Sequence, residues 1–503
     1  MEKQENGTSS AFSAKQKLGL ILGPALFLGV LFFVPLDGLS ASGRAVLAST
    51  LWVATWWITE AIPISATALL PIVLFPLSGG LDLRSTTEAY GQPMIFLFVG
   101  GFMLAMAIEK WDLHKRIAMN VIKAVGANSS RIILGFMVAT ALLSMWISNT
   151  ATSLMMMPIG LAIVTQLAEF VNHKGGETAQ VSHFGKALML SIAYSASIGG
   201  MATLIGTPTN MVFSAVVQQT YGVEVSFAKW MLFGLPVSLL LLGICWVYLV
   251  RFAFKLQNQS IPGVEAEIDR QLIVLGPMSP EEKRVLVVFG LTAFSWITRS
   301  TLLSRFIPGI NDTIIAVIGA LVLFLIPAPS RPGARLLDWE SAVKLPWGIV
   351  LLFGGGLALA AGFTESGLAP WIGKQLNLLD GIALILILGF VVCSVNFLTE
   401  ITSNVATASM MLPILAALAV TLDVHPFGLM IGACFAASCA FMLPVATPPN
   451  AVVFGSGVLE MKDMVRTGIW MNLISIVVLT ILVYYLLPLI WGFEMSTFPE
   501  GLK

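Results

Sequence analysis

The chain has few charged residues for its length. Of its 503 residues only 11% are Asp, Glu, Lys or Arg, against about 25% in a soluble domain. The formal net charge is zero, so the basic balance expected of a nucleic-acid-binding protein is absent. With 57% hydrophobic residues and a mean hydropathy of +0.89, the composition predicts an all-α protein that crosses a membrane many times.

Cysteine and histidine are also scarce, at four residues each. Cys245, Cys393, Cys434 and Cys439 lie in apolar segments without the spacing of a metal site, so we expect free buried thiols. The apolar segments contain no activated Ser with a His, no paired Asp and no His-Glu zinc motif. We therefore expect neither an enzyme nor a bound cofactor, and no nucleic-acid partner.

Eleven apolar runs are predicted to cross the bilayer, which takes about 20 residues, or fewer where charged side chains reach the interface. They are 18–36, 45–60, 62–77, 93–108, 187–220, 230–250, 285–305, 313–327, 347–363, 427–457 and 469–492. The polar start of the chain lacks a cleavable signal pattern, so the first run is expected to stay as a membrane helix.

Two further apolar blocks, 131–170 and 382–421, carry a polar motif at their centres. Ser-Asn-Thr-Ala-Thr begins at Ser148, and Ser-Asn-Val-Ala-Thr begins at Ser403, 255 positions later; a proline follows both at the same distance. Unpaired polar groups in hydrocarbon cost several kcal/mol each. Each block is therefore expected to form two helical arms that meet at a polar break, as in a re-entrant hairpin.

Other segments repeat in register with these motifs. Phe-Val-Gly-Gly from Phe98 matches Phe-Gly-Gly-Gly from Phe353, again 255 positions apart. Gly-Thr-Pro-Thr-Asn from Gly206 matches Ala-Thr-Pro-Pro-Asn from Ala446, 240 positions apart, and its prolines prevent a continuous helix. The sequence thus predicts two related repeats with four polar breaks.

The predicted organisation has six parts. They are a cytoplasmic N-terminal tail, 1–17; the first transmembrane helix and its loop, 18–44; a first inverted repeat, 45–220, with hairpin 131–170; connecting helices, 221–299, with a cytoplasmic linker, 251–284; a second inverted repeat, 300–457, with hairpin 382–421; and the last transmembrane helix with the C-terminal tail, 458–503.

The positive charges predict an orientation. With eleven crossings, two re-entrant hairpins and a cytoplasmic N-terminus, 20 of the 27 Lys and Arg lie inside, as the positive-inside rule requires. The seven outside are Arg44, Arg84, Lys229, Arg299, Arg305, Lys374 and Lys503. The first hairpin then enters from the cytoplasm and the second from outside, the arrangement of inverted-topology repeats, and the C-terminus is extracellular.

The four breaks predict a transport site. Carbonyl and side-chain oxygens at a break suit Na⁺, whereas helix N-termini suit a carboxylate or another oxyanion. No Arg or Lys lies near any break, so a dianion would be held by helix dipoles and co-bound cations. The hypothesis is cation-coupled anion transport. The alternatives are internally satisfied kinks in packed helices and a channel, which would need a continuous polar stripe.

Three further features lie outside this pattern. Glu400, four residues before Asn404, is either a proton or cation ligand or a brace for the second hairpin, and we favour the brace. The glycines around Gly100 and Gly355 favour close helix packing over ligand contact. Glu60 lies near a predicted helix end, so we expect it at the membrane interface.

The paired motifs and the stretch ASCAFMLPVATPPNAVV, residues 437–453, resemble the divalent anion/sodium symporter (DASS) family, and the layout is similar over nearly the whole chain. Members of that family carry di- and tricarboxylates or sulfate. The resemblance implies a homodimer in which a scaffold joins the subunits. It also implies that a transport domain containing both hairpins moves like an elevator.

The resemblance also implies the residues of the site. Substrate carboxylates would contact Ser148, Asn149, Thr150, Thr207, Ser403, Asn404, Thr447 and Pro448. One Na⁺ would bind Ser144, Ser148, Asn149 and Gly206, and a second would bind Thr399, Thr402, Asn404 and Ala446. The chain departs from symmetry at Val405, where the first motif has Thr150, so we expect substrate preference to depend on this pair.

The leading functional prediction is Na⁺-coupled import of C4-dicarboxylates (succinate, fumarate, malate) by an elevator mechanism in the plasma membrane. A dicarboxylate exchanger and a citrate or sulfate symporter of the same family remain as alternatives. The expected partners are the dianionic substrate, Na⁺, the lipid bilayer and a second copy of the chain.

Overall fold

The computed structural model describes residues 12–126, 128–174, 178–256, 264–375 and 381–502. Residues 1–11 of the predicted tail, 257–263 of the predicted linker and Lys503 lie outside the described residues. Within the described ranges the chain forms helices and no β-strand, and one antiparallel bridge joins Pro327 to Arg335.

The helices are numbered in chain order. The first twelve are α1 Ala14–Phe32, α2 Ala41–Thr59, α3 Ile64–Thr67, α4 Leu70–Ser78, α5 Leu83–Glu88, α6 Pro93–Lys110, α7 Leu113–Val125, α8 Ser129–Ser144, α9 Asn149–Lys174, α10 Thr178–Gly200, α11 Pro208–Tyr221 and α12 Phe227–Val247. The others are α13 Val264–Leu275, α14 Pro280–Thr298, α15 Ser304–Phe306, α16 Asp312–Leu325, α17 Trp339–Ala342, α18 Trp347–Glu365, α19 Leu368–Gln375, α20 Leu384–Thr399, α21 Asn404–Thr421, α22 Pro426–Ala437, α23 Pro448–Phe454, α24 Met461–Ile481 and α25 Leu487–Trp491. Three π-helical segments follow α12, α14 and α24, at Tyr248–Ala253, Arg299–Leu303 and Leu482–Leu486.

The predicted all-α membrane fold is confirmed. Each predicted apolar run is occupied by one helix or by two consecutive helices. Among the described residues, eight helices are long and apolar enough to span a bilayer, and five shorter apolar helices accompany them. The count of eleven crossings and the re-entrant path of the hairpins stay predictions.

One run differs from the simple prediction of a single helix. Residues 62–77 form the short helices α3 and α4, with Pro63 as the N-cap of the first and Pro71 in the first turn of the second. Proline fixes φ and lacks an N–H, so it begins helices well and continues them poorly. The gap between α3 and α4 at Ala68 also faces Gly355, where an added Cβ would lie 2.6 Å from the Ala68 carbonyl oxygen.

Glycine packing brings the helices of the two repeats close to their neighbours. A Cβ on Gly100 would lie 2.8 Å from the Ala316 backbone, much as Gly355 contacts Ala68, and neither glycine lines the site described below. The prediction of packing over ligand contact is confirmed. The four cysteines are free, as predicted, and Cys245, Cys434 and Cys439 are buried, whereas Cys393 is only half-buried, which differs from the prediction.

Both apolar blocks are broken at their polar motifs. Helices α8 and α9 are separated by residues 145–148, and α20 and α21 by residues 400–403. The two proline motifs interrupt α10–α11 at 201–207 and α22–α23 at 438–447. Pro208 and Pro448 occupy the first turns of α11 and α23, where the missing N–H is not needed.

The two repeats interlock around these breaks. Helix α11 of the first repeat packs against α18 and α21 of the second, while α23 of the second packs against α9 and α10 of the first. Phe98 and Phe353, 255 positions apart, meet with their ring centroids 5.0 Å from each other. The equivalent residues of α6 and α18 are thus direct neighbours. Each broken helix therefore lies beside the hairpin of the other repeat.

Candidate transport site

A cavity of about 570 Å³ lies where the four breaks meet. All eight residues assigned to substrate from the family resemblance line it: Ser148, Asn149, Thr150, Thr207, Ser403, Asn404, Thr447 and Pro448. Of the residues assigned to Na⁺ alone, Gly206 and Ala446 also line the cavity. Ser144, Thr399 and Thr402 are buried outside this lining.

Four helices begin at the cavity wall. They are α9, α11, α21 and the short α23. Ser148 Oγ accepts a hydrogen bond from the Ala151 N–H at 3.2 Å, and Thr447 Oγ1 accepts one from the Asn450 N–H at 3.2 Å. The side chains of Thr207 and Ser403 cap no N–H among the described residues. In α11, Pro208 has no N–H and the Asn210 N–H bonds the Thr207 carbonyl at 3.2 Å. The Thr209 N–H of α11 and the first-turn N–H groups of α21 therefore remain for a ligand, and the helix dipoles favour an anion there.

Oxygen atoms outnumber protons behind the first hairpin tip. Ser144 Oγ lies 2.5 Å from Asn149 Oδ1 and 2.7 Å from the Ala196 carbonyl oxygen. The hydroxyl has one proton and can donate to only one of these acceptors. A Cβ placed on Gly200 would lie 2.7 Å from Asn149 Oδ1 and 3.0 Å from the Gly206 carbonyl oxygen, so these oxygens converge on the same turn. Such a group of oxygens suits a monovalent cation.

The second tip repeats this arrangement. Thr399 Oγ1 lies 2.7 Å from Asn404 Oδ1 and 3.0 Å from the Ala437 carbonyl oxygen. Thr402 is placed differently from the other predicted Na⁺ ligands, because its hydroxyl bonds within the hairpin to the Leu398 carbonyl and to Thr407, at 2.8 and 2.6 Å. The two oxygen groups are therefore equivalent at the Ser144 and Thr399 positions.

Two buried asparagines close the proline breaks and were not among the predicted site residues. Asn210 Nδ2 lies 2.8 Å from the Thr203 carbonyl and 3.2 Å from that of Gly200. Asn450 Nδ2 lies 3.0 Å from the Leu443 carbonyl and 3.1 Å from that of Ala440, the positions 240 residues later. The signal in the sequence was the repeated Asn at the end of each Thr-Pro-x-Asn motif.

Glu400 binds the second proline break. Its Oε1 accepts hydrogen bonds from the N–H groups of Phe441 at 2.8 Å and Met442 at 3.0 Å, and Oε2 accepts one from Leu443 at 3.0 Å. Asn472 Nδ2 donates a fourth at 2.7 Å. All four partners are donors from the break or from α24, and Glu400 does not line the cavity. These contacts are those of a brace, the interpretation favoured from the sequence.

The remaining wall is mostly apolar and comes from outside the repeated motifs. Phe102, Ile349 and Leu352 contribute to it from α6 and α18. Glu60, in a left-handed turn after α2 with φ of 50°, also lines the cavity, whereas the sequence placed it at an interface. The described lining contains no Lys or Arg. Positive potential for an anion therefore has to come from helix N-termini and bound cations.

Two solved structures share this fold at low sequence identity. The YdaH transporter of Alcanivorax borkumensis has a TM-score of 0.60 at 14% identity and covers 86% of this chain and 97% of its own. MtrF of Neisseria gonorrhoeae, described with a class of antimetabolite efflux pumps, has a TM-score of 0.56 at 12% identity, with 96% of both chains covered. At these identities the likeness shows the fold alone, that of a multi-pass helical membrane protein.

The family follows from the sequence comparison. The family model for the sodium:sulfate symporter transmembrane region matches residues 15–491, so the chain belongs to this family, the one that its motifs resemble. The sodium-dependent dicarboxylate transporter SdcS of Staphylococcus saprophyticus is 48% identical over 497 residues, 98% of this chain and 95% of its own length. SdcS of Staphylococcus aureus USA300 is 50% identical over 489 residues, 96% and 94% of the two chains.

Proposed function

We propose that the protein imports C4-dicarboxylates such as succinate, fumarate and malate together with Na⁺. The observation that carries this proposal is the cavity itself: two groups of proton-poor oxygens flank helix N-termini in a wall without Lys or Arg. Relatives of about half identity are sodium-dependent dicarboxylate transporters. A carboxylate at each end of a C4 acid suits two hairpin tips that face one cavity.

Electrostatics favours coupling to cations. Moving one charge across 100 mV is worth about 2.3 kcal/mol, so a dianion that enters alone is opposed by about 4.6 kcal/mol at that voltage. Two Na⁺ cancel this cost, and a third makes uptake voltage-driven. Within the site, bound Na⁺ supplies positive charge that no side chain of the described lining provides.

The proposed roles follow the two tips. Ser144, Ser148, Asn149 and Gly206 hold one Na⁺, and Thr399, Thr402, Asn404 and Ala446 hold the second. The substrate lies between them, against the hydroxyls and amides of both tips and the N-termini of α11 and α21. Val405 contributes no hydroxyl, so the second tip contacts substrate through Ser403, Asn404 and backbone N–H groups.

The proposed orientation has a cytoplasmic N-terminus and an extracellular C-terminus in the plasma membrane. Ion pairs support it, because they join segments that the charge count assigns to one side: Lys110 with Asp338 at 2.6 Å, Arg116 with Glu282 at 2.9 Å and Lys123 with Asp269 at 2.6 Å. The Lys110 ammonium and Ser341 also hold the pKa of the Asp338 carboxyl far below its usual value.

The proposed mechanism is an elevator in a homodimer. The polar half of the cavity wall comes from the hairpins and broken helices, while the largely apolar half comes from α3, α6 and α18. A smooth apolar wall lets the polar half slide past it with the substrate enclosed. Single-molecule distances between a label on α21 and one on α2 should change with Na⁺ and succinate, whereas distances between two labels on α2 and α18 should not.

Uptake of labelled succinate into proteoliposomes, with the Na⁺ gradient and the voltage varied separately, tests the function. We expect saturable uptake that needs an inward Na⁺ gradient. Equal succinate affinity in Na⁺ and in choline would contradict coupling. Uptake that depends only on internal dicarboxylate would instead establish exchange, and failure to saturate would establish a channel.

Citrate or sulfate is the second candidate substrate. The Thr150 and Val405 asymmetry favours testing it, because loss of one hydroxyl changes the hydrogen bonds open to a third carboxylate or to a sulfate oxygen. Unlabelled citrate or sulfate that displaces succinate at equal concentration would reassign the substrate while leaving the Na⁺ sites in place.

A further inference from the structure

A second cavity of about 1140 Å³ lies away from the transport site. It runs between α12 with its π-helical extension, the start of α24 and the start of α10. None of its lining residues lines the transport cavity. We call it the α12–α24 groove.

Most residues that line the α12–α24 groove are apolar, and several of them are exposed. Leu239 and Leu240 of α12 are 56% and 45% exposed, and Trp470 of α24 is 57% exposed. Within the two spans that form these walls, 227–253 and 461–491, an 18-residue stretch has a mean hydropathy of 2.2 and 2.7, respectively. From Leu239 to Val247 the apolar wall is about 12 Å long at the helical rise. The groove therefore faces hydrocarbon and has the length of a substantial part of an acyl chain.

One end of the groove carries an unpaired positive charge. Lys186 and Asp463 neutralise each other in an ion pair of 2.8 Å. Arg466 also lines the groove, is exposed and has no ion-pair partner among the described residues. The groove thus combines a long apolar wall with a cationic end.

A hydrogen bond joins α24 to the π-helical extension of α12 at this cationic end. Tyr248, the first residue of the π-helical segment, donates a hydrogen bond from its hydroxyl to the Thr467 carbonyl at 3.0 Å. Phe252 from the same segment completes the wall. π-Helical turns are rare and frequently mark functional sites. The groove is therefore a formed feature of α12 and α24 and not a gap between loosely packed helices.

We propose that the α12–α24 groove binds one acidic phospholipid, with the glycerol phosphate at Arg466 and an acyl chain along Leu239, Gly243 and Val247. A soluble dicarboxylate has no chain to cover the apolar wall, and a zwitterionic lipid brings its own cation next to Arg466. In the proposed orientation this end faces the cytoplasmic leaflet, whose anionic lipids are attracted to basic pockets between helices. The lipid site goes beyond the transport function, and only the choice of leaflet rests on the proposed orientation.

Lipid titration of the purified full-length protein in detergent, read by native mass spectrometry, tests the charge. The probes are dioleoyl phosphatidylglycerol, dioleoyl phosphatidylcholine and free glycerol 3-phosphate. We expect the wild-type protein to bind phosphatidylglycerol about fivefold more tightly than phosphatidylcholine. This ratio is equivalent to about 1 kcal/mol, the contribution of one basic side chain near a membrane surface. Arg466→Gln should remove this preference. Lys462→Gln, which removes the same charge one turn away outside the groove, should keep it.

A second variant tests the shape. An added Cβ on Gly243 meets nothing within 4 Å, so Gly243→Leu fills the groove without a clash in the helix packing. It should weaken binding of both lipids at least fivefold while the protein elutes as wild type. Unchanged phosphatidylglycerol binding in Gly243→Leu, or an unchanged preference in Arg466→Gln, would overturn the proposal. Displacement of lipid by equimolar glycerol 3-phosphate would also overturn it, because the site would then bind a headgroup alone.

Discussion

The first and second halves of the transport site are alike at the hairpin tips and differ behind them. A hydroxyl five residues before the tip asparagine contacts its Oδ1 in both halves, from Ser144 in one and Thr399 in the other. Behind the first tip, Met201 and Ala202 donate their N–H groups to helix carbonyls. Behind the second, the corresponding N–H groups bind Glu400. The two tips thus have the same arrangement of oxygens, but the backbone behind the first is held by helix carbonyls and the backbone behind the second by Glu400.

The difference originates in where the broken helices end. Helix α10 continues to Gly200, whose equivalent 240 positions later is Ala440, but α22 already ends at Ala437. An N–H in a helix bonds the carbonyl four residues earlier, so the early end of α22 leaves the N–H groups of 441–443 without helical acceptors. Glu400 provides those acceptors, and Met145 stands at the equivalent position of the first half. A buried carboxylate therefore replaces almost one turn of helix.

The largest expected effect tests whether both tips are needed. Asn149→Ala or Asn404→Ala removes the amide oxygen that lies between a helix N-terminus and a proton-poor oxygen group. Each substitution should reduce Na⁺-driven succinate uptake in proteoliposomes to background. The variants should still elute as wild type in size-exclusion chromatography. Near-normal uptake by either one would mean that its half does not form the site.

The next prediction tests the support that only the second half has. Glu400→Ala leaves the N–H groups of Met442 and Leu443 without a partner, at about 1–3 kcal/mol each when buried. The Phe441 N–H keeps a second acceptor, Asn472 Oδ1, at 3.2 Å. We expect a lower melting temperature and at least a tenfold loss of apparent Na⁺ affinity, equivalent to about 1.4 kcal/mol. Glu400→Gln keeps one acceptor oxygen, so its melting temperature and apparent Na⁺ affinity should lie between those of Glu400→Ala and the wild type.

Met145→Leu is the matched control in the first half. Because the two side chains have similar apolar volumes, the melting temperature and the apparent Na⁺ affinity should stay unchanged. Wild-type Na⁺ dependence in Glu400→Ala would show that the second break holds its shape without the carboxylate.

The sequence predicted the tips and breaks because polar residues are conspicuous inside apolar blocks, and it predicted their pairing because both copies share fixed offsets. It did not predict the partners of Glu400, because the early end of α22 is a property of the backbone that no residue pattern marks. The wall with Glu60 and Phe102 was missed for a related reason. Those residues lie outside the repeated motifs, and only packing of α3, α6 and α18 brings them to the cavity.

A smaller asymmetry lies at Gly206 and Ala446. A Cβ on Gly206 would lie 2.5 Å from the Gly200 carbonyl oxygen. The turn at Gly206 therefore accepts only glycine unless its backbone moves. Gly206→Ala should lower apparent Na⁺ affinity about tenfold, because overpacking costs about 1–3 kcal/mol. Ala446→Gly should change the apparent Na⁺ affinity little, since the turn at Ala446 already accommodates a methyl group. Equal effects in Na⁺ titrations of succinate uptake would show that the two turns are under the same constraint.

The subtlest prediction concerns the one position where the tips themselves differ. Thr150 and Val405 both line the cavity, but only Thr150 offers a hydroxyl to the substrate. One hydrogen bond is worth about 0.5–1.5 kcal/mol, which corresponds to roughly 2- to 10-fold in relative affinity. Val405→Thr should therefore shift competition among succinate, citrate and sulfate by this factor, with little change in Na⁺ dependence. Thr150→Val should also change the competition among these three anions, so that it differs from that of the wild type. If both variants changed Na⁺ affinity and left the competition unaltered, this pair would belong to the cation sites, and substrate choice would have to be sought in the apolar wall.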